Sequence, residues 1–227
     1  MVKTVALIQA RMASTRLPHK VMQLINDVPM IQLLLTRLQQ SKQIDALIVA
    51  TSNKHTDDVL ADYVSGQGHA VFRGSEEDVL ERFFFFSTQY QADVVVRITA
   101  DCPLVDSALV DQVIEDYQAK AVDYASNIMP PTYPDGLDVE VFSFSALKLA
   151  HEKATRPLER EHVTPFIRES GLFKISNVAY QKNCSDARWT VDEPADFEVI
   201  TAVFEHFHPR VNFTWHEVLA LQESKPA

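Results

Sequence analysis

The sequence predicts an α/β fold built on a doubly wound, mostly parallel sheet, and three observations predict it. Short, continuous apolar runs at 5–8, 45–51 and 93–99 have the length and composition of strands covered on both faces. Between them lie stretches with helical apolar spacing, as at Ile31, Leu34, Leu35 and Leu38. Strands that alternate with helices argue for parallel crossovers. Polar and charged residues follow the apolar runs, at the place where open α/β sheets gather their ligands. A chain of 227 residues with 46% apolar composition suits one domain, 1–227, with a substantial core.

The first run ends at Gln9, and a basic loop follows within LIQARMASTRLPHK, residues 7–20. Arg11, Arg16 and Lys20, with Ser14 and Thr15 among them, point to a polyphosphate cradle. Pro18 stiffens the loop. It is neither a Walker loop nor a Rossmann fingerprint, which need glycines after the strand, because the first glycine of the chain is Gly66. Side chains must therefore supply much of the charge.

Pro29 opens a helix that reaches about Ser41. The 45–51 strand ends in Thr51, Ser52 and Asn53, on the same rim as the basic loop. Thr56 starts a helix that Gly66 and Gly68 close. A third strand at 69–72 leads into Arg73, Gly74 and Ser75, with Ser75 and Asp78 at capping spacing. The run Phe83, Phe84, Phe85, Phe86 sits in a helical pattern, which assigns it to packing. The 93–99 strand ends in Ala100, Asp101, Cys102 and Pro103. A carboxylate fixed there is the kind of rigid oxygen ligand that magnesium uses when it also binds phosphates. Its alternative role is to cap the helix beginning near Ser107.

The second half is less regular. Residues 122–126 read as a strand, and 127–136, with Pro130, Pro131 and Pro134, as a loop. Residues 136–142 alternate polar and apolar, predicting a half-exposed strand with Asp138 and Glu140 on one face, suited to sugar hydroxyls or amides. A helix over 143–154 precedes a polar-to-apolar stretch at 155–169 that carries Arg156, Arg160, His162 and Arg168. Residues 172–180 are strand-like, and 188–191 form a short strand ending at Asp192. Pro194 then starts a helix, which Asp192 is placed to cap, and 213–222 form the last one.

A formal charge of −10, from 31 acids against 21 Lys and Arg, argues against nucleic acid as a partner. An acidic body around a small basic site favours a small anionic ligand accompanied by a divalent cation. Cys102 and Cys184 stand far apart in no metal-like spacing, so neither a disulfide framework nor a zinc site is indicated. The apolar start at 5–8 is too short for a signal-peptide core, and no run has membrane-spanning length, so the expectation is a cytoplasmic protein with no membrane partner.

The pattern Arg-x-x-Ser-x-Arg-x-Pro-x-Lys, from Arg11 to Lys20 after a strand reading IQAR, resembles the nucleotide-binding motif of the cytidylyltransferases that activate acidic sugars. The spore-coat polysaccharide biosynthesis branch is the most similar. Residues 100–104 resemble that family's Gly-Asp-x-Pro-Leu element, 136–142 its Gly-x-Asp-Val-Glu-Val-Phe element, and Asp192 its second metal-binding aspartate, so the resemblance covers most of the chain. Ala13, His19 and Ala100 stand where glycine is expected in these relatives.

The resemblance implies a nucleotide-diphospho-sugar transferase-like fold with a sugar-binding and dimerisation insertion at 127–180. It implies a homodimer, with which the apolar residues between Val139 and Phe144 are compatible. The activity implied is transfer of CMP from CTP to an acidic sugar, with release of pyrophosphate, for surface polysaccharide biosynthesis, with magnesium as cofactor. The site residues it implies are Ala10, Arg11, Ser14, Arg16 and Lys20 for the nucleotide, with Lys20, Arg11 and Asp101 catalytic. Arg73 and Ser75 would read cytosine, Asp101 and Asp192 would bind metal, and Asp138, Glu140 and His162 would face the sugar. His162 reads equally as a packed, satisfied histidine. Arg156, Arg160 and Arg188 are candidates for a sugar carboxylate. Two alternatives use a similar sheet: a nucleotidyltransferase of other base or sugar specificity, and a glycosyltransferase consuming a nucleotide sugar. The latter usually carries an Asp-x-Asp motif, where this chain has Asp101, Cys102 and Pro103.

Overall fold

The computed structural model describes residues 2–224. In chain order, β1 (Thr4–Gln9) leads through the basic loop to a small hairpin of β2 (Leu24–Ile25) and β3 (Val28–Pro29), then to α1 (Met30–Leu38). Next come β4 (Ala46–Ser52), α2 (Asp58–Gly66), β5 (Ala70–Gly74), α3 (Val79–Gln89), β6 (Val94–Thr99) and α4 (Ser107–Lys120), the alternation that the periodicity predicts. The second half supplies β7 (Tyr124–Ser126), β8 (Glu140–Ser143), α5 (Phe144–Lys153), α6 (Pro157–His162) and α7 (Pro165–Glu169). β9 (Ile175–Asn177), α8 (Pro194–Phe207) and α9 (Trp215–Glu223) complete it.

One seven-stranded sheet runs in the order β5-β4-β1-β6-β8-β7-β9. Strands β5, β4, β1 and β6 are parallel, β8 is antiparallel to both β6 and β7, and β9 is parallel to β7. The sheet is mixed but mostly parallel, and the 127–180 stretch contributes β8 and β9 to it. Alternation along β1 sends Ala6 and Ile8 to one core, with Leu34, Val110 and Phe204. Val5 and Leu7 go to the other, with Phe83, Phe86 and Leu147. Each of the fully buried Val, Leu, Ile and Phe side chains contributes roughly 1.5–3 kcal/mol. Two apolar layers over one continuous sheet fix the direction in which every strand end points.

Three expectations need correction. The 136–142 stretch is not a half-exposed strand: pairing begins at Glu140, and Val139, Val141, Phe142 and Glu140 are all buried. Glu140 faces a cavity, whereas Asp138 is exposed at its mouth, and Val139, Val141 and Phe142 belong to the core. Residues 188–191 do not form a strand; only a single bridge joins Arg188 to Asp135. Of the four phenylalanines, Phe83 and Phe86 are buried, whereas Phe85 is 52% exposed.

The helix caps also fall elsewhere than expected. Asp78 caps α3 by accepting from Glu81 N, and Ser75 Oγ only accepts from Asp78 N. Asp106 caps α4 through Ala108 N and Leu109 N, and Asp196 accepts from Glu193 N at the start of α8. Neither Asp101 nor Asp192 is occupied with capping. Among the described residues, no helix is long and apolar enough to cross a membrane.

Candidate active site

The basic loop is anchored by a residue that the sequence does not flag. Asp57, 1% exposed, accepts from Met12 N at 2.7 Å through one oxygen. Its other oxygen accepts from Thr51 Oγ1, Ser52 N and Ser52 Oγ. Burial alone would raise this carboxyl, but the Ser52 hydroxyl, the Met12 N–H and the other donors outweigh it and hold the carboxyl below the ordinary range. The loop closes through His19 N donating to Met12 O at 3.1 Å, with His19 in the left-handed conformation, φ 60° and ψ 18°. Histidine is among the side chains that tolerate this region, so the turn survives without glycine.

From this loop Lys20 reaches inward, its side chain 11% exposed. Its ammonium donates to Val191 O at 2.6 Å, Asp101 Oδ2 at 3.1 Å and Asp192 Oδ1 at 3.1 Å. Arg16 pairs with Asp192 at 3.0 Å, and Arg188 donates to the other oxygen of Asp192 at 3.0 Å. Partial burial works against ionising Asp192, but Lys20, Arg16 and Arg188 more than offset it and lower its carboxyl. Asp101 and Asp192, 91 positions apart by their numbers, therefore meet around one cation.

Gly136 makes that meeting possible. Asp135 pairs with the 187–189 segment through Asp135 N to Ala187 O, 2.9 Å, and Trp189 N to Asp135 O, 2.6 Å, while Val191 N donates to Asp101 O at 2.8 Å. Gly136 has φ +108°, and a Cβ there would lie 2.5 Å from the Trp189 carbonyl carbon and 2.6 Å from Thr190 N. Gly136→Ala is expected to lower stability by at least about 2 kcal/mol and to reduce turnover together with it, because the shifted backbone carries Asp192 away from Asp101. Thermal unfolding and steady-state rates measured on the same preparation check this; a variant with wild-type values in both would contradict it.

A cleft of about 330 Å³ opens over these residues, lined among others by Ala10, Arg11, Ser14, Arg16, Lys20 and Asp101. A second cavity of about 170 Å³ adjoins it, with Arg97, Asp138, Glu140 and Arg168 in its wall. Thr99 and His162 line both. The expected nucleotide residues of the loop thus fall in one space and the expected sugar residues in the next, with His162 at the boundary.

Within the second cavity, Glu140 has little capacity left for a ligand. It pairs with Arg97 and accepts from Tyr124 Oη at 2.7 Å and Thr164 Oγ1 at 2.6 Å. Burial would raise its carboxyl, but Arg97 and the two hydroxyls hold it below the ordinary range. Its role is to orient Arg97, which also donates to Gln9 Oε1 at 3.1 Å. Asp138 opens into the cavity, yet the cavity walls, with Asp135 and Glu140 nearby, push its carboxyl up to about 6. The Nε atoms of Arg97 and Arg168 are buried without a hydrogen-bond partner.

Arg73 and Ser75 do not reach the cleft. Arg73 is held by Asp58, Ser52 O and Lys54 O, so each of its three nitrogens is engaged in bracing the rim. Glu76, Val79 and Arg82, from the segment just beyond, line the cleft instead. The buried Arg82 is lowered to about 10 by burial, and its Nε has no partner. Arg156, Arg160 and Arg188 are likewise engaged, by Glu159 and Glu169, by Asp78, and by Asp135, Asp192 and Asp196. The sequence reading passed over Arg97. An arginine inside the buried run DVVVRIT was its signal, since a lone charge in such a strand needs a partner.

Comparison with known proteins gives a consistent result. A family profile described as cytidylyltransferase matches residues 5–208. The chain is 33% identical over 228 residues to the spore coat polysaccharide biosynthesis protein SpsF of Bacillus subtilis, covering 97% of this chain and 94% of that protein. A solved cytidylyltransferase from Leptospira borgpetersenii superposes with a TM-score of 0.93 at 30% identity, covering 98% of this chain and 94% of the other. A CMP-2-keto-3-deoxy-manno-octonic acid synthetase solved with CTP shares the fold, with a TM-score of 0.70 at 19% identity over 90% of this chain and 99% of that one.

Proposed function

Because this chain belongs to the cytidylyltransferase family, we propose that it transfers CMP from CTP to an acidic sugar, releasing pyrophosphate, to supply surface polysaccharide biosynthesis. One observation carries the reading: the cationic cleft adjoins a second cavity walled by Arg97 and Arg168. A carboxylate matches the fork of an arginine, which makes a sugar acid the fitting occupant of that cavity. Arg168 has no carboxylate partner among the described residues, in contrast to Arg156, Arg160 and Arg188.

In the reaction a sugar hydroxyl forms a bond to the α-phosphorus while the bond to the bridging oxygen of pyrophosphate breaks. Little covalent work falls to the protein, which must align the two substrates and stabilise charge growing on the leaving group. Arg11, Arg16, Lys20 and Ser14 are assigned to the triphosphate and Ala10 to the nucleotide. Base recognition passes from Arg73 and Ser75 to Glu76, Val79 and Arg82, which line the cleft. Asp138 and His162 are assigned to the sugar, with Glu140 behind them orienting Arg97.

The residues present also fit a divalent cation. Two carboxylates already share one positive centre at Lys20, and their hard oxygens suit magnesium. Among the described residues, no group of three or more His, Cys, Asp or Glu is arranged to hold a metal alone. Asp101 and Asp192 would hold magnesium together with phosphate oxygens, and its chemistry there is to offset their charge.

Arg168→Ala tests the reading. The KM for a sugar acid should rise between about tenfold and a hundredfold, the size of a hydrogen bond to a charged group, while the KM for CTP stays within about twofold. Equal losses for both substrates, or no change, would contradict the assignment of the second cavity.

A further inference from the structure

Val163 is the one β-branched residue with a positive φ among the described residues, at φ 69° and ψ −56°. Thr164 N donates to His162 O at 2.8 Å, so His162, Val163 and Thr164 form a γ-turn of the rare, strained hand. A valine pays more for this conformation than almost any residue, and it persists only where the surroundings over-determine it. Here they do so from three sides. Val163 N donates to Glu159 O at 3.1 Å, and Glu159 is itself fixed by Arg156 Nε at 2.9 Å and Thr155 N at 3.0 Å. The Val163 side chain has no exposed surface and belongs to the core that holds Phe83 and Leu147. On the other flank, Thr164 Oγ1 donates to Glu140, the partner of Arg97.

Ending α6 does not by itself require this strain, since a glycine or asparagine in the left-handed region would stop the helix at less cost. The turn ties the main-chain carbonyl of His162, the last residue of α6, to Thr164, and the exposed His162 side chain lines both the nucleotide cleft and the sugar cavity. We propose that Val163 is a positioning residue: its strained turn holds the His162 imidazole at the opening between the two cavities, where it hydrogen-bonds the attacking sugar hydroxyl and aligns it with the nucleotide. This rests on the nucleotidyl-transfer reading above. It couples the orientation of His162 to the Glu140–Arg97 pair, because Thr164 belongs to both.

The experiment is a double-mutant cycle with Val163→Gly and His162→Ala, read by steady-state kinetics and by the ring signals of His162 in NMR, assigned by their loss in His162→Ala. Glycine accepts the same φ without strain but releases the hold on the turn. In Val163→Gly the His162 signals should shift or broaden while those of the other histidines stay in place. The rate should fall about tenfold or more, with the KM for CTP within about twofold, since small misplacements of an aligning group are costly. In the His162→Ala background the same substitution should change the rate by less than about twofold. Should the glycine variant not fold, Val163→Ala, which loses the side-chain grip, is expected to give the same pattern. Additive losses, or unmoved His162 signals, would overturn the proposal. Absence of any nucleotidyl transfer by the wild-type protein would instead defeat the functional reading, and the NMR comparison would still decide the positioning role.

Discussion

Lys20→Ala is expected to lower the rate of nucleotidyl transfer by about a hundredfold or more, the loss typical of removing one preorganised charge stabiliser. The geometry explains why this lysine matters more than its neighbours. Arg16 is largely exposed, with 57% of its side chain accessible, whereas Lys20 is nearly enclosed and touches Asp101, Asp192 and Val191 O at once. All three of its protons are engaged, so it acts on a nearby phosphate through its charge, which little water screens in that enclosed position. Its removal also leaves two carboxylates facing each other without their shared cation. Lys20→Arg should rescue little of the rate, because a planar fork does not occupy the place of a compact point charge. Kinetics on variants whose circular dichroism matches the wild type would check this, and a loss smaller than about tenfold would contradict the assignment.

Glu140→Ala is expected to be the most destabilising single substitution considered, at about 3 kcal/mol or more, because it leaves the largely enclosed Arg97 guanidinium without its carboxylate. That is a large share of the roughly 5–15 kcal/mol by which domains are stable. Tyr124 and Thr164 would lose their acceptor as well. The effect has a pH signature. Glu140 has its carboxyl lowered in the folded protein, so its contribution is fully present above the ordinary carboxylate range and is lost as the pH falls through the depressed folded value. Denaturant unfolding of the wild type and of Glu140→Gln should therefore differ at neutral pH and converge in acid. A constant gap across that range would show that the charge of Glu140 is not what stabilises the pair.

Much of the fold was legible because buried parallel strands leave a strong local signal: 5–8, 45–51 and 93–99 are apolar on every side, and each became a strand within a residue or two. The basic loop and Asp101 were legible for a related reason, since charge placed directly after such a strand stands out. What misled was alternation. Asp138 and Glu140 follow the pattern of a solvated face, but only Asp138 is exposed; Glu140 is buried beside a cavity, and only its tertiary pairing with Arg97 reveals it. Arg73 shows the opposite failure. It stands at the end of β5, beside the segment that lines the cleft, yet Asp58, 15 positions away, holds its guanidinium. Asp57 was illegible for a further reason, since its partner Met12 lies 45 positions away; for Arg97 the buried run shows that a partner is needed, but not that it is Glu140, 43 positions away.

Pyrophosphate release with CTP, ATP, GTP and UTP, each with magnesium and each against acidic and neutral sugars, tests the proposed reaction most directly. Release that requires CTP and an acidic sugar, and that nearly vanishes in Lys20→Ala, is the expected result. Equal release with a neutral sugar, or with another nucleotide, would contradict the assignment of the two cavities.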